Sequence, residues 1–329
     1  MKRNSSIELL RILFMLFIIL FHFLGRNYNL FGVTNETAIW DENLLSKLIV
    51  HATGQLGVPG FVFISGYFGL KFNSYRFIDL LAQCFLYSFI FYSLISPTIG
   101  IFENRPFILS MFFLSSWWFM WSYILLYFIS PALNSFIENM KKNQFIVLLF
   151  LLFFISIGLW IHKTSATNIF ILLEIYFIAR FVKIHLSDAL KSKAWVLLLL
   201  SFILYYGLVA VGYFKHNLVV MPYVNSYYNP IIIVLTGSLI VTFERIKFSA
   251  KIINWVSPNL LAAYLITENF YGTHLFKNWF YIPNEYPILK FIGIGLGLTI
   301  ICVLVDKFRL LLFSPTEKRL AIKLEKWMY

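Results

Sequence analysis

The sequence has 329 residues, of which 60% are hydrophobic and only 13% charged, and its mean hydropathy is +0.78. This composition excludes a water-soluble globular protein, whose charged share is about a quarter, and indicates an integral membrane protein. The net charge of +12 does not indicate a nucleic-acid partner, because an excess of Lys and Arg in a membrane protein fixes its topology. Cys84 and Cys302 stand far apart in apolar runs, so we expect buried core residues there, with no disulfide framework and no metal site.

Ten apolar segments follow one another along the chain, each long enough to cross about 30 Å of hydrocarbon. They cover residues 7–25, 48–70, 77–96, 117–137, 144–162, 169–185, 194–214, 228–247, 254–273 and 287–312. The loops between them are short, and no internal repeat is visible. We therefore predict an all-α fold, a polytopic helical bundle of about ten transmembrane helices in the plasma membrane. Residues 1–312 would form a single transmembrane domain, and residues 313–329 a basic cytoplasmic tail that forms a short amphipathic helix on the inner leaflet.

Two of these segments, 48–70 and 254–273, contain glycine, proline and polar residues at several positions. Broken or polar helices of this kind are tolerated where protein or a watery cavity surrounds them, and not where they face lipid. We therefore expect both segments to lie inside the bundle.

The loop charges predict the orientation of the bundle. If the amino terminus is cytoplasmic, twenty of the 27 Lys and Arg residues fall on the inner side and seven on the outer side. A bias of this size in short loops favours a topology with both termini cytoplasmic.

The first segment carries three ionisable residues, Glu8, Arg11 and His22. A helix turns about 100° and rises about 1.5 Å per residue, so Arg11 and His22 share one face and stand about 16 Å apart along the axis. One interpretation is that these side chains reach the two membrane interfaces from a lipid-facing helix. The other is that they form a polar track inside the bundle, because an ionisable residue within a span indicates function.

The stretch "IELLRILFMLFIILFH", residues 7–22, resembles the first helix of the acyltransferase 3 family, the membrane O-acyltransferases of bacterial surface polysaccharides. That helix has an acidic residue, then Leu-Arg, then a His about eleven positions after the Arg. Three further stretches are similar to later helices of the family, in the same order. They are "GVPGFVFISGYFGLK" at 57–71, "WWFMWSYILLYFISPALN" at 117–134 and "AAYLITENF" at 262–270.

The resemblance implies a membrane-bound acyltransferase that moves an acyl group, usually acetyl, from cytoplasmic acyl-coenzyme A to a hydroxyl of a cell-surface or lipid-linked polysaccharide. Its partners would be acyl-coenzyme A, the glycan acceptor and membrane lipids, with no nucleic acid and no permanently bound cofactor. A sugar hydroxyl needs a general base, and histidine is the side chain that most readily accepts a proton near neutral pH. We expect His22 to be this base, with Arg11 and Glu8 of the same helix as its catalytic companions.

The phosphates of coenzyme A would meet Lys71 and Arg76 at the cytoplasmic end of the second span. The alternative is that Lys71 and Arg76 belong to an ordinary positively charged inner loop. Substrate contacts or hydrogen bonds to a developing oxyanion are expected from a further set, namely Ser65, Tyr67, Trp118, Trp121, Glu268 and Asn269.

The sequence departs from the family pattern at two places. Thr267 stands where many members have a His, which removes that side chain from any proton transfer, and Lys71 stands where many have an Arg, which loses bidentate phosphate geometry. A glycan-lipid transporter or flippase is the alternative function, since transporters also have broken helices and buried charges at mid-membrane.

Two further ionisable residues lie within the predicted spans. Glu174 is expected to be buried and either to form a structural pair or to serve function. His51 is expected near the outer end of the second span, in a capping or interfacial role.

Overall fold

The protein is described here by a computed structural model that covers residues 4–100, 117–162, 169–279 and 288–328. These residues form helices and loops and contain no β-strand. The helices are α1 Ser5–Asn27, α2 Leu44–Gly54, α3 Gly57–Phe68, α4 Ser74–Ile90, α5 Ser96–Ile99, α6 Trp118–Glu138, α7 Lys142–Ile161, α8 Ile169–His185, α9 Asp188–Ser192, α10 Ala194–Phe214, α11 Met221–Val224, α12 Pro230–Glu244, α13 Lys251–Val256, α14 Leu261–Thr267, α15 Phe270–Trp279 and α16 Ile288–Met328. A π-helical turn joins α4 to α5, and 3₁₀ turns occur at Leu218–Val220 and Ser257–Asn259.

Seven helical segments of the described chain are long and apolar enough to cross a membrane. They are Ser5–Asn27, Leu44–Phe68, Ser74–Ile99, Trp118–Glu138, Lys142–Ile161, Ala194–Phe214 and Ile288–Met328. The other three predicted spans are also helical but are shorter or broken, because α8 has 17 residues, α12 has 15, and the ninth segment is divided among α13, α14 and α15. The protein is therefore an all-helical, multi-pass membrane protein, and the count of ten spans stays a prediction.

Helix α1 lies at the centre of the bundle and packs against α2, α3, α12, α13, α14 and α16. Its N-cap residue is Asn4. The side chain of Asn4 accepts a hydrogen bond from the amide of Ser6 at 3.3 Å and so satisfies one of the free amides of the first turn. The hydroxyl of Ser6 donates to the carbonyl of Phe243 at 2.7 Å, which fixes this end of α1 against the end of α12. The polar residues of α1 are thus surrounded by protein.

Helices α2 and α3 approach α1 closely because glycines face it. A Cβ atom on Gly54 would lie 2.2 Å from the Cβ of Phe21, and one on Gly57 would lie 2.8 Å from the carbonyl oxygen of Phe14. Small residues allow helix backbones to approach in this way within membranes. The glycines of segment 48–70 therefore serve packing inside the bundle, as its composition predicts.

The outside of the bundle is apolar. Phe150 and Phe154 on α7 and Phe202 on α10 are exposed, as are many neighbouring aliphatic side chains. An apolar exposed surface suits lipid, whereas Glu8, Glu174 and Glu268 are buried inside the bundle. Cys84 and Cys302 are buried and free, which confirms their prediction as core residues.

Helix α16 has 41 residues and therefore extends about 60 Å, twice the thickness of the hydrocarbon core. Residues 313–328, the predicted basic tail, continue this helix without a break. Arg309 anchors it: Nε donates to Asp306 and an Nη atom to Asp79 on α4, each at 2.6 Å, and the guanidinium also pairs with Glu317. This charge cluster ties α16 to the beginning of α4.

Candidate active site

His22 lies in an ion-pair cluster with Glu268 and Arg26. The Nδ1 atom of His22 is 3.2 Å from the Oε2 atom of Glu268, and Arg26, one turn further along α1, donates to the same oxygen. Only 4% of the Glu268 side chain is exposed, against 23% for His22 and 33% for Arg26. The carboxylate is thus held inside the protein between two side chains that can carry positive charge.

Glu268 owes its position to a break in the ninth predicted span. Helix α14 ends at Thr267, and α15 begins only after Asn269, whose side chain accepts a hydrogen bond from the amide of Tyr271 at 2.9 Å. The hydroxyl of Thr267 donates to the carbonyl of Ala263 at 2.9 Å and also lies 3.4 Å from Oε1 of Glu268. The break turns Glu268 toward α1, and Asn269 is a helix cap.

Aromatic rings surround His22 on the other side. Phe21 packs edge-on against it with centroids 5.1 Å apart, and the ring of Phe31 lies 5.8 Å away. His51 stacks on Phe21 at 4.4 Å and is only 1% exposed, so the expectation of an interfacial or capping role for His51 is wrong. Its Nδ1 atom lies 3.5 Å from the side-chain amide of Asn225.

A cavity of about 110 Å³ begins at Arg11 and runs along α1 toward His22. We call it the Arg11 cavity. Its lining residues are Arg11, Met15, Ile18, Phe61, Ser65, Arg76, Leu80, Phe119, Tyr123, Ser257, Pro258, Leu260, Leu261 and Tyr264. Ile18 lies one helical turn before His22, and Tyr264 lies one turn before Glu268, so the cavity ends about 6 Å along each helix from the ion-pair cluster.

Arg11 is oriented by a second buried carboxylate. Its guanidinium lies 3.4 Å from Glu8, and the same Glu8 oxygen accepts a hydrogen bond from the hydroxyl of Ser257. Glu8, one turn before Arg11 on the same helix, is thus its ion-pair partner. Glu8 contacts Ser257 and His22 contacts Glu268, and both of these partners belong to the broken ninth segment. The polar face of α1 therefore packs against this segment and does not face lipid.

Arg76 and Lys71 differ in position. The guanidinium of Arg76 lines the Arg11 cavity, and no described carboxylate pairs with it, which leaves its charge available to an anion. Lys71 is exposed and does not line the cavity; its carbonyl accepts a hydrogen bond from the hydroxyl of Tyr127 at 3.2 Å. The structure therefore brings Arg76, but not Lys71, together with Arg11.

The remaining predicted residues take several places. Ser65 lines the Arg11 cavity, and its hydroxyl donates to the carbonyl of Phe61 at 2.8 Å and lies 3.1 Å from that of Tyr123. Tyr67 is buried under the ammonium group of Lys183, which lies 4.6 Å from the ring centroid. Tyr67 is therefore a packing residue at the edge of the site.

The two tryptophans of α6 do not line the Arg11 cavity. Trp118 packs on Tyr227 with centroids 5.6 Å apart. Trp121 has a buried indole nitrogen without a hydrogen-bond partner among the described residues. Glu174 is buried, as predicted, and accepts a hydrogen bond from Ser156 of the neighbouring helix, far from His22 in the bundle.

A second opening lies at the other end of α1. We call it the Arg26 vestibule. Its volume is about 380 Å³, and it is lined by Gly25, Arg26, Asn29, Phe31, Thr273 and His274. A small pocket of about 20 Å³, room for about one water molecule, lies beside the vestibule and has Arg26 and Glu268 in its wall. The ion-pair cluster thus lies between two cavities that open at opposite ends of α1.

Sequence reasoning missed Arg26 and Ser257. Arg26 appears in the sequence as a loop charge, yet its spacing of four residues from His22 places both on one helix face. Ser257 gives no comparable signal, because it meets Glu8 only through the fold.

The chain was also compared with known proteins. No curated protein and no solved structure matches it. The acyltransferase domain family matches residues 4–307, which is nearly the whole described chain and includes Glu8, Arg11, His22, Arg26 and Glu268. The protein therefore belongs to the acyltransferase 3 family of membrane proteins.

Proposed function

We propose that the protein is an O-acyltransferase of the plasma membrane, which moves an acetyl group from cytoplasmic acyl-coenzyme A to a hydroxyl of a cell-surface or lipid-linked polysaccharide. The observation that carries this proposal is the position of His22, paired with Glu268 and Arg26 between the Arg11 cavity and the Arg26 vestibule. A donor and an acceptor that arrive from opposite sides of a membrane need a base at such a point.

His22 acts as the general base. The carboxylate of Glu268 beside Nδ1 accepts a hydrogen bond from the N–H of that nitrogen. The proton of the neutral ring is therefore on Nδ1 and the lone pair on Nε2. Nε2 takes the proton of the sugar hydroxyl while its oxygen attacks the thioester carbonyl. A new C–O bond forms, the C–S bond breaks, and the proton passes from His22 to the sulfur of coenzyme A.

Glu268 stabilises the positive charge that His22 carries during the reaction, and Arg26 holds this carboxylate in place. Thr267 is not a proton acceptor at neutral pH, and its hydroxyl contacts the carbonyl of Ala263 and the carboxylate of Glu268. Many relatives have a second His at position 267. In this protein the pair of His22 and Glu268 performs the proton transfer without it.

The donor enters the Arg11 cavity. Arg11 and Arg76 at its mouth bind phosphate oxygens of coenzyme A, and the mainly apolar wall beyond them accommodates the flexible arm that ends in the thioester. Ser65 and Tyr123 place hydroxyl oxygens in the same wall, where the hydroxyl of Tyr123 can rotate from Ser65 and donate to an oxygen atom of the donor.

Glycan acetylation in cells tests the proposal. We expect NMR acetyl signals of the surface polysaccharide to vanish in a deletion strain, to return with the wild-type protein and to stay absent with His22→Gln. The matched control is His162→Ala, an exposed histidine at the end of α7, which should restore the signals. Equal signals with and without His22 would refute acyl transfer at this site, and loss of glycan export with unchanged acetylation would favour a transporter.

A further inference from the structure

The ring of Phe31 forms part of the wall of the Arg26 vestibule. It is 45% exposed, whereas its neighbour Leu30 is only 2% exposed and is anchored in the core. Behind the ring lie three other rings: Phe21 at 5.1 Å, His51 at 5.6 Å and His22 at 5.8 Å between centroids. One face of this aromatic cluster is therefore open to the vestibule while the other covers His22.

The loop after α1 holds Phe31 in this place. Asn29 and Gly32 on either side have positive φ values of 52° and 67°, a region that Asn and Gly enter more easily than other residues. The amide of Leu30 donates to the carbonyl of Gly25 at 3.1 Å, which folds the loop back onto the last turn of α1. The exposed ring is thus fixed by backbone turns and by a buried neighbour.

Gly25 gives the ring its seat. A Cβ atom at this position would lie 2.3 Å from Cζ of Phe31, so any larger residue would push the ring away from the helix. Because Gly25 lets the ring of Phe31 approach so closely, this ring and the last turn of α1 form one continuous surface beside Arg26.

Polar groups surround this aromatic surface. Arg26, Asn29, Thr273 and His274 line the same vestibule and offer hydrogen-bond donors and acceptors. A ring face bordered by several hydrogen-bonding side chains suits a ligand with one apolar face and many hydroxyl groups at its edge, which is the chemistry of a sugar ring. A lipid tail would leave the polar side chains unpaired, and an inorganic anion would leave the ring uncovered.

We propose that the Arg26 vestibule binds one sugar ring of the acceptor glycan, and that Phe31 is the surface on which this ring stacks. The inference rests on the proposed acyl transfer and assigns the acceptor site of that reaction. The stacked sugar lies beside Arg26, and a hydroxyl at its edge reaches His22 past the rim of the Phe31 ring, on the side where Arg26 pairs with Glu268. Phe31 is then a specificity-determining residue, because it selects an acceptor with a flat apolar face.

Binding without turnover tests this proposal. The probe is the cell-surface polysaccharide of the source organism, freed of its ester groups by mild alkali and cut to short oligosaccharides. With no acyl-coenzyme A present, we expect these oligosaccharides to raise the unfolding temperature of the purified protein. Phe31→Ala should need about tenfold more probe for the same effect, and Gly25→Ala should act in the same direction because its methyl group displaces the ring.

Two variants serve as controls. Phe31→Tyr keeps an aromatic face and should bind as the wild type does. Trp40→Ala removes an aromatic side chain of similar exposure from the same loop, outside the vestibule, and should also leave binding unchanged. The proposal is overturned if the wild type does not bind the probe, if Phe31→Ala binds it equally well, or if Trp40→Ala weakens binding as much. Stabilisation by acyl-coenzyme A, measured separately, shows whether the donor side is intact and so keeps a failure here distinct from a failure of acyl transfer.

Discussion

Glu268 shares one carboxylate oxygen between His22 and Arg26, although the two positions in α1 are more than 240 residues away in sequence. A buried carboxylate is costly unless charges and hydrogen bonds compensate it. Here the compensation comes from the side chains that we propose for the reaction, so under this proposal the same contact serves folding and catalysis.

Glu268→Gln tests the catalytic half of that contact. The amide keeps the shape of the side chain but can no longer stabilise a positive His22, so we expect kcat to fall about 100-fold or more, with KM for acyl-coenzyme A changed less than twofold. Steady-state kinetics on purified protein measure both values. Glu174→Gln, which alters the buried carboxylate bound to Ser156, is the matched control and should keep normal kcat. A normal kcat for Glu268→Gln would remove the carboxylate from the mechanism.

Arg76→Ala and Lys71→Ala separate two residues that sequence alone treats as equivalent. Arg76 lines the Arg11 cavity and is unpaired among described residues, whereas the side chain of Lys71 lies outside it. We expect KM for acyl-coenzyme A to rise about tenfold in Arg76→Ala and less than twofold in Lys71→Ala. Isothermal titration with coenzyme A provides the same comparison without turnover. Equal effects of the two changes would mean that donor binding depends only on the total positive charge near the beginning of α4 and not on the position of Arg76.

At the level of residues, the sequence predicts what a single helix contains. The register of α1 predicts the common face of Arg11 and His22. Glu268 was found only through the family resemblance, and its role as the partner of His22 depends on a fold that the helical period does not encode. Ser257 and Phe31 were missed for the same reason, since their importance arises from contacts made across the bundle.

The 3₁₀ turn Ser257–Asn259 connects the pair of Glu8 and Arg11 with the charge cluster of Asp306 and Arg309 on α16. Its first residue donates to Glu8, and the side-chain amide of Asn259 donates to Asp306 at 2.6 Å and accepts from Lys307 at 2.8 Å. Asp306 is in turn held by Arg309. The long helix α16 thereby fixes the turn that forms one wall of the Arg11 cavity.

Asn259→Ala tests this link between elements. The change removes both side-chain bonds of the turn, so we expect KM for acyl-coenzyme A to rise about fivefold, the effect of losing roughly one hydrogen bond, while kcat stays within twofold. The control is Asn139→Ala, which removes an exposed side chain bound only to the carbonyl of Ser135 and should leave both constants unchanged. If Asn259→Ala lowers kcat and thermal stability but not donor binding, the turn has only a structural role.

Element boundaries were harder to predict than element existence. All ten apolar segments contain helix, because length and hydropathy carry that signal. The glycines and prolines of 48–70 and 254–273 indicate breaks, and the structure places them between α2 and α3 and around α14. Their positions depend on which backbone groups the neighbouring helices can satisfy, and this is a property of packing.

In the molecule as a whole, the Arg11 cavity and the Arg26 vestibule lie at opposite ends of α1. The ion-pair cluster of His22 and Glu268 lies between them. The loop charges predict that the Arg11 end is cytoplasmic. Thiol labelling measures this directly, since Cys84 and Cys302 are both buried and give little background. A membrane-impermeant maleimide added to intact cells should label Thr37→Cys, in the exposed loop after α1, and should not label Ser192→Cys until the cells are broken. The reverse pattern would invert the topology and the direction of transfer.

The central claim is that an acyl group given on the cytoplasmic side reaches a glycan on the other side through His22. Inverted membrane vesicles from a deletion strain that carries the protein, supplied with labelled acetyl-coenzyme A from outside, measure it most directly. We predict that label enters the glycan inside these vesicles with the wild-type protein, that none enters with His22→Gln, and that right-side-out vesicles remain unlabelled. Equal labelling with His22→Gln, or in both vesicle orientations, would contradict the account.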